Sequence, residues 1–171
     1  MKYIGNYSSW IDVDWITYLL NNSGTPRPKT AEANPDSPEF RKATSAGYDL
    51  TQTYWQHYDQ DSCPLTFTPP FKTDGKLMWW FIKMLPGNFM PMHCDPHVTE
   101  SGVVDCKRYW IPLQDYEHGH IFIYNKEFIT DYKAGDVFMY DDPNEIHGAC
   151  NIGYTPRLVA NFSTYTYETP R

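Results

Sequence analysis

From Lys76 to Tyr167 the chain is cut into short apolar, aromatic and β-branched runs by clusters of turn-forming residues, and this punctuation limits it to a β-dominated fold. The runs are Lys76 to Leu85, Phe89 to His93, Val104 to Leu113, His120 to Tyr124, Phe128 to Tyr132, Val137 to Tyr140, Gly148 to Ile152 and Arg157 to Tyr167. Between them stand Pro86-Gly87-Asn88, Gly119, Asn125-Lys126, Ala134-Gly135-Asp136, Asp142-Pro143-Asn144 and Gly153-Tyr154. Such residues reach positive φ, lock φ, or bond their own backbone, so each cluster ends one strand and begins the next. About eight strands at this spacing predict a mainly β, double-sheet jelly roll.

Ahead of that core, Ser9 to Asn22 places Trp10, Val13, Trp15, Ile16, Leu19 and Leu20 on one helical stripe, with Ser9 as N-cap and the helix packed outside the sheets. Ser23 to Pro38 reads as a long surface loop able to serve as a lid, and Glu39 to Asp61 fits a short helix or an aromatic strand. The expected organisation is a single domain over 1–171, with a helix and loop region over 1–75 and a jelly-roll core over 76–167.

Charge and motifs exclude several function classes. Fourteen Lys and Arg against 21 Asp and Glu, a net charge of −7, lack the basic footprint that phosphate backbones demand, so neither nucleic acid nor an anionic membrane is an expected partner. No stretch approaches eighteen apolar residues, and Met1 to Leu20 has no signal-peptide core, so a cytoplasmic location is expected. Cys63, Cys94, Cys106 and Cys150 form no C-x-x-C pair and read as reduced, mostly buried thiols. G-x-G-x-x-G, Walker A, G-x-S-x-G and H-E-x-x-H sequences are all missing.

One constellation carries chemistry. His93 and Asp95 are two apart, so a strand would turn both to one face while Cys94 turns away, and His147 opens a later strand. Two imidazoles and a carboxylate on one octahedral face hold Fe(II) and leave three positions for cosubstrate and O2. Arg157 lies ten positions past His147, beyond Gly153-Tyr154-Thr155-Pro156, and the expected hairpin returns it opposite His147. A guanidinium there would grip the far carboxylate of 2-oxoglutarate bidentately at every physiological pH. The other histidines have plainer readings. His118 and His120 read as loop residues, His97 as a loop residue at the site mouth or in solvent, and His57 as packing or capping.

With these residues the chain resembles the Fe(II)/2-oxoglutarate-dependent oxygenases, whose fold is the cupin-like double-stranded β-helix. Lys107-Arg108-Tyr109-Trp110-Ile111-Pro112-Leu113, then Ala134 to Asp142, then His147, looks most like the aspartyl/asparaginyl β-hydroxylase-like branch. The resemblance covers about Leu77 to Tyr165. It implies iron on His93, Asp95 and His147, the distal carboxylate of 2-oxoglutarate on Arg157, and the cosubstrate's other end on Arg108. Trp110 stands where the branch tends to carry a histidine and would wall the pocket. Val159 stands where a serine is frequent, so a hydroxyl from elsewhere, such as a tyrosine, would assist Arg157.

The function expected is therefore hydroxylation of an amino-acid side chain or small metabolite, with a small molecule or peptide as substrate. The alternatives are a cupin-like metal- or ligand-binding module without 2-oxoglutarate turnover, and a cupin-type metalloenzyme, dioxygenase or isomerase, that ignores 2-oxoglutarate.

Overall fold

The computed structural model describes residues 1–27, 36, 38–45, 47–49, 52–95, 98–99 and 102–167. In chain order the strands are β1 (Lys2–Asn6), β2 (Thr25–Arg27), β3 (Trp55–Asp59), β4 (Lys76–Met84), β5 (Phe89–His93), β6 (Val98–Thr99), β7 (Gly102–Pro112), β8 (His120–Tyr124), β9 (Glu127–Ile129), β10 (Asp136–Tyr140), β11 (His147–Asn151) and β12 (Arg157–Tyr167). The helices are α1 (Val13–Asn21) and α2 (Pro38–Ser45).

Two antiparallel sheets result. The larger runs β1-β10-β7-β12-β4-β3-β2, with β6 paired on β7, and the smaller runs β5-β11-β8-β9. From β4 onward the chain passes back and forth between them, with the β6–β7 and β8–β9 hairpins each staying within one sheet. That is the path of a jelly roll, the double-stranded β-helix. Asn125 and Lys126, both at positive φ, form the two-residue turn of that hairpin.

Toward its C-terminal end β4 is covered on both faces, so Phe81, Ile82, Lys83 and Met84 are consecutively buried, while Met78 near its start is exposed. Trp79 and Phe81 turn outward beneath α1 and the segment before β4. There Phe67 stacks on Trp79 (5.4 Å) and Trp15 (5.9 Å), and Leu19, Ile111, Leu158 and Phe162 complete the outer core. Ile82 and Met84 turn inward with Trp110, Phe122, Tyr124, Tyr132, Tyr140 and Val159, forming a second core between the sheets. Lys83 joins the outer layer as a helix anchor: its buried Nζ donates to the carbonyls of Leu19 and Asn22, each at 2.6 Å, at the C-terminal end of α1. A cation there meets unsatisfied carbonyls and the negative end of the helix dipole.

Several expectations need correction. The helix begins later than expected, because Asp12 rather than Ser9 caps it, its side chain accepting from the Asp14 N–H, while Ser8–Trp10 forms a separate 3-10 turn. Residues before Lys76 also supply strands. β1 is short and bulged at Gly5, so alternation is erased in the sequence, and pairing with β10 defines it instead. β2 contains Pro26, tolerated because β2 is an edge strand. The ambiguous Glu39 to Asp61 stretch holds both elements, α2 and β3. Much of the expected lid lies outside the described residues.

The most consequential correction concerns residues 152–156. β11 and β12 do not form a hairpin: β11 pairs with β5 and β8, whereas β12 pairs with β4 and β7. The turn carries the chain from one sheet to the other. Buried Asn151 holds it, Nδ2 donating to Met84 O and Thr155 O (2.8 Å each) and Oδ1 accepting from the Gly153 N–H (3.0 Å). Gly119, at φ +96°, lets the turn approach so closely that a Cβ there would lie 2.2 Å from the Gly153 nitrogen.

Candidate metal centre

His93 and His147 are direct cross-strand partners on β5 and β11, so antiparallel pairing itself brings the two imidazoles to one side, ring centroids 4.4 Å apart. Asp95 lies just past the end of β5 and folds back onto them, 3.7 Å from His93 Nε2 and 3.4 Å from His147 Nε2. Metal bonds of about 2.1 Å put adjacent donors roughly 3.0 Å apart in an octahedral set and 3.4 Å in a tetrahedral one. The two spacings to Asp95 exceed the octahedral value by roughly 0.4 and 0.7 Å, and all three ligand atoms lie within 4.8 Å of one another, so a small inward movement of the side chains would let them grip a single ion. Among the described residues this is the one cluster of His, Cys, Asp or Glu with such spacing.

The surroundings prepare the donors. His93 Nδ1 meets Pro91 O at 2.8 Å and His147 Nδ1 meets Glu145 O at 3.3 Å. A carbonyl can only accept, so each Nδ1 donates its proton there and each Nε2 faces the centre, where it can donate to Asp95 or, when a metal binds, give up that proton and offer a lone pair. Burial works to raise the Asp95 pKa, but the hydrogen bond and charge of His147, then Arg108 and His93, outweigh it and hold the carboxyl well below the usual carboxylate range. Arg108 is engaged with Asp95 twice, its Nε 3.5 Å from Oδ2 and its Nη1 donating to the backbone carbonyl at 3.2 Å. Tyr140 packs on the His147 ring at 5.3 Å. Burial and the nearby Asp95 carboxylate push its phenol above its ordinary value, so it stays protonated.

The triad opens into a cavity of about 390 Å³ between the two sheets. Arg157 lines it from across the sandwich and is only 3% exposed. Its guanidinium sits over the Trp110 ring (5.7 Å) and Nη1 contacts the Met84 sulfur (3.5 Å), while Nε and Nη2 are buried without a hydrogen-bond partner. Burial pulls its pKa down and the adjacent Tyr132 phenol counters this. Tyr132, whose hydroxyl donates to His120 O at 2.9 Å, stands beside the arginine. Trp110 lines the cavity, stacked on Phe122 at 4.6 Å.

Other sequence candidates fall elsewhere. His120 is buried and donates through Nε2 to Thr155 O (2.9 Å), a structural role, and His118 is exposed beside Tyr116, away from the triad's cavity. His97 lies outside the described residues. All four cysteines are free; Cys106 is buried, Cys63 and Cys150 are partly so, and Cys94, turned away from the triad, is exposed. The sequence pointed to the aromatic stretch Tyr48 to Tyr58 as a place for substrate contacts without singling out Trp55 or His57, which line the cavity, His57 stacked on Trp80 (6.1 Å); Arg27, Trp80 and Asn161 it missed. For Asn161 the signal was present: Arg157, Val159 and Asn161 alternate along one strand and so share a face.

No protein-family model and no curated protein matches the chain. Solved structures with a partly similar fold include KdgF from Halomonas sp., at 16% identity over 67% of this chain and 82% of that one (TM-score 0.44). The Cnp3 cupin domain of Schizosaccharomyces pombe is 15% identical over 70% and 74% (TM-score 0.45). A predicted oxalate decarboxylase from Thermotoga maritima is 20% identical over 52% and 66% (TM-score 0.39). Among the described residues no helix is long and apolar enough to cross a membrane.

Proposed function

We propose that the protein is an Fe(II)- and 2-oxoglutarate-dependent oxygenase that hydroxylates an amino-acid side chain or small metabolite. The observation that carries this reading is Arg157: a buried guanidinium with two unmet N–H groups, facing the same cavity as a two-histidine, one-carboxylate triad. An unpaired buried donor is costly, and a ligand carboxylate reaching it from the cavity would remove that cost. The donor set suits Fe(II) with positions left open on the cavity side.

When bound, iron and 2-oxoglutarate supply O2 activation, coupling decarboxylation of the diacid to succinate and CO2 with insertion of one oxygen atom into a substrate C–H bond. The chain's own residues do the rest. His93, Asp95 and His147 would hold the metal, Arg108 keeps Asp95 aimed, Arg157 would bind and neutralise the distal carboxylate, and Trp110 and Phe122 exclude water from between them.

The test is anaerobic addition of Fe(II) and then 2-oxoglutarate, followed by visible absorption. A metal-to-ligand charge-transfer band that disappears in Arg157→Ala supports the reading. Iron binding without the band would leave the coarser reading, a metal-binding module of this fold, which needs the triad alone.

A further inference from the structure

Alternation along β12 and its antiparallel register divide the inner face of the larger sheet into rows that run across the strands. Ser163, Arg108 and Tyr140 form one row, and Trp80, Asn161, Trp110 and Phe138 the next. Beyond these come Ile82, Val159 and Pro112, then Met84 and Arg157. The first row marks the level of the metal triad, because Arg108 is bound to Asp95 and the Tyr140 ring packs on that of His147. Asn161 therefore stands one row deeper than the triad, about 7 Å along the strand, and the Arg157 backbone stands three rows deeper.

The Arg157 side chain closes much of that gap. Its guanidinium lies over the Trp110 ring at 5.7 Å, and Trp110 is the direct cross-strand neighbour of Asn161. A diacid running from the triad to the guanidinium thus passes the Asn161 row. Asn161 lines the same cavity, is 6% exposed, and has its Nδ2 buried with no hydrogen-bond partner. The side chains of Trp80, Trp110 and Val159 around it carry no acceptor for that N–H. An unmet buried amide costs stability, and a ligand oxygen beside it would recover the loss.

Resting on the oxygenase reading, we propose that Asn161 is a second cosubstrate-binding residue, its Nδ2–H donating to the C1 carboxylate at the metal-bound end of 2-oxoglutarate. Donor number and level assign the two ends. Arg157 has two unmet N–H groups, one for each oxygen of the distal carboxylate, and Asn161 lies nearer the triad. The C1 carboxylate, with one oxygen on the metal, keeps its other oxygen for an N–H donor. An amide suits that position because it donates without adding a charge beside the metal.

The experiment titrates anaerobic, Fe(II)-loaded protein with 2-oxoglutarate and reads affinity and band position from the charge-transfer absorption. Asn161→Leu deletes the donor within a side chain of similar size. It is expected to bind 2-oxoglutarate about tenfold or more weakly, the scale of one hydrogen bond to a charged group. Its band maximum should also be displaced from that of the wild type, because the lost bond changes the electron density of the chelating group. Iron affinity without 2-oxoglutarate should match the wild type, showing fold and triad intact. Asn161→Asp keeps the shape and exchanges the donor for an acceptor, so it should weaken 2-oxoglutarate at least as much, and it decides the matter if the leucine variant does not fold. Wild-type affinity in the folded variants, or weaker binding with an unmoved band, overturns the proposal. If the wild type gives no band, the oxygenase reading falls and takes this contact with it, whereas a wild-type band with unchanged variants removes the contact alone.

Discussion

Replacing Arg157 by methionine is expected to stabilise the free protein while destroying its response to 2-oxoglutarate. Nε and Nη2 are each buried without a partner, and an unmet buried donor costs about 1–3 kcal/mol. Against that, the guanidinium gains about 0.5–2 kcal/mol from the Trp110 face. Methionine keeps an unbranched stem beside Met84 and Trp110, fills most of the space, and brings no donor that must be satisfied. After a small allowance for lost volume the substitution should gain about 1–3 kcal/mol. At this chain length each kcal/mol raises the melting temperature by about 2–4 °C. Ligand reverses the order. At a hundredfold excess over Kd, 2-oxoglutarate adds about 2.7 kcal/mol to the wild type and nothing to the variant. The assay is thermal unfolding of both proteins loaded with Mn(II) as a redox-quiet stand-in, with and without 2-oxoglutarate. A variant less stable than the wild type in the absence of ligand would show that the guanidinium is satisfied after all. Equal ligand shifts in the two proteins would show that it does not hold the diacid.

Arg108→Gln removes the charge bracing Asp95 while leaving the three donors in place. Metal affinity by titration calorimetry should fall about 10–100-fold, the usual effect of losing such a partner, and an unchanged affinity would free Arg108 from this role. Asn151→Ala deletes the three hydrogen bonds that pin the sheet-crossing turn. Urea unfolding should show a loss of about 3 kcal/mol, and a loss below 1 kcal/mol would mean that the turn holds without them. His120 gives a pH signature. Burial lowers its pKa below the ordinary histidine value, so as pH falls through about 6.5 the unfolded chain takes up a proton that the folded protein refuses, and stability is lost. His120→Gln, whose amide N–H can still reach Thr155 O, should lose less stability than the wild type between pH 7.5 and 5 by chemical denaturation. Identical pH slopes would contradict the assignment.

Legibility in the sequence followed the range of the interaction. The limits of β5, β8 and β12 could be read directly, because alternation and turn chemistry act within a few residues of the chain. The His-x-Asp spacing was equally local. β1 and β2 were hidden, since one carries a bulged glycine and the other a proline, and each exists because a partner strand offers its edge. Arg157 is an instructive middle case. Its spacing from His147 suggested a hairpin, yet the chain crosses between sheets, and the two residues share a cavity by facing each other across the sandwich.

From composition and pattern alone come a β-rich jelly roll, the absence of a nucleic-acid footprint, and the residue types able to hold a metal beside a diacid. Those properties depend on side-chain chemistry and on the two-residue repeat of a strand, both intrinsic to the order of residues. Tertiary structure alone decided that Arg157 is buried with unmet donors, that Tyr132 stands beside it, that Arg108 is bound to Asp95, and that Arg27, His57 and Asn161 share one cavity. The reason is that burial and register are set by which strands pair. Strand pairing depends on contacts between residues far apart in the chain, as in Asn6 with Asp136, 130 positions on, and no local pattern encodes them.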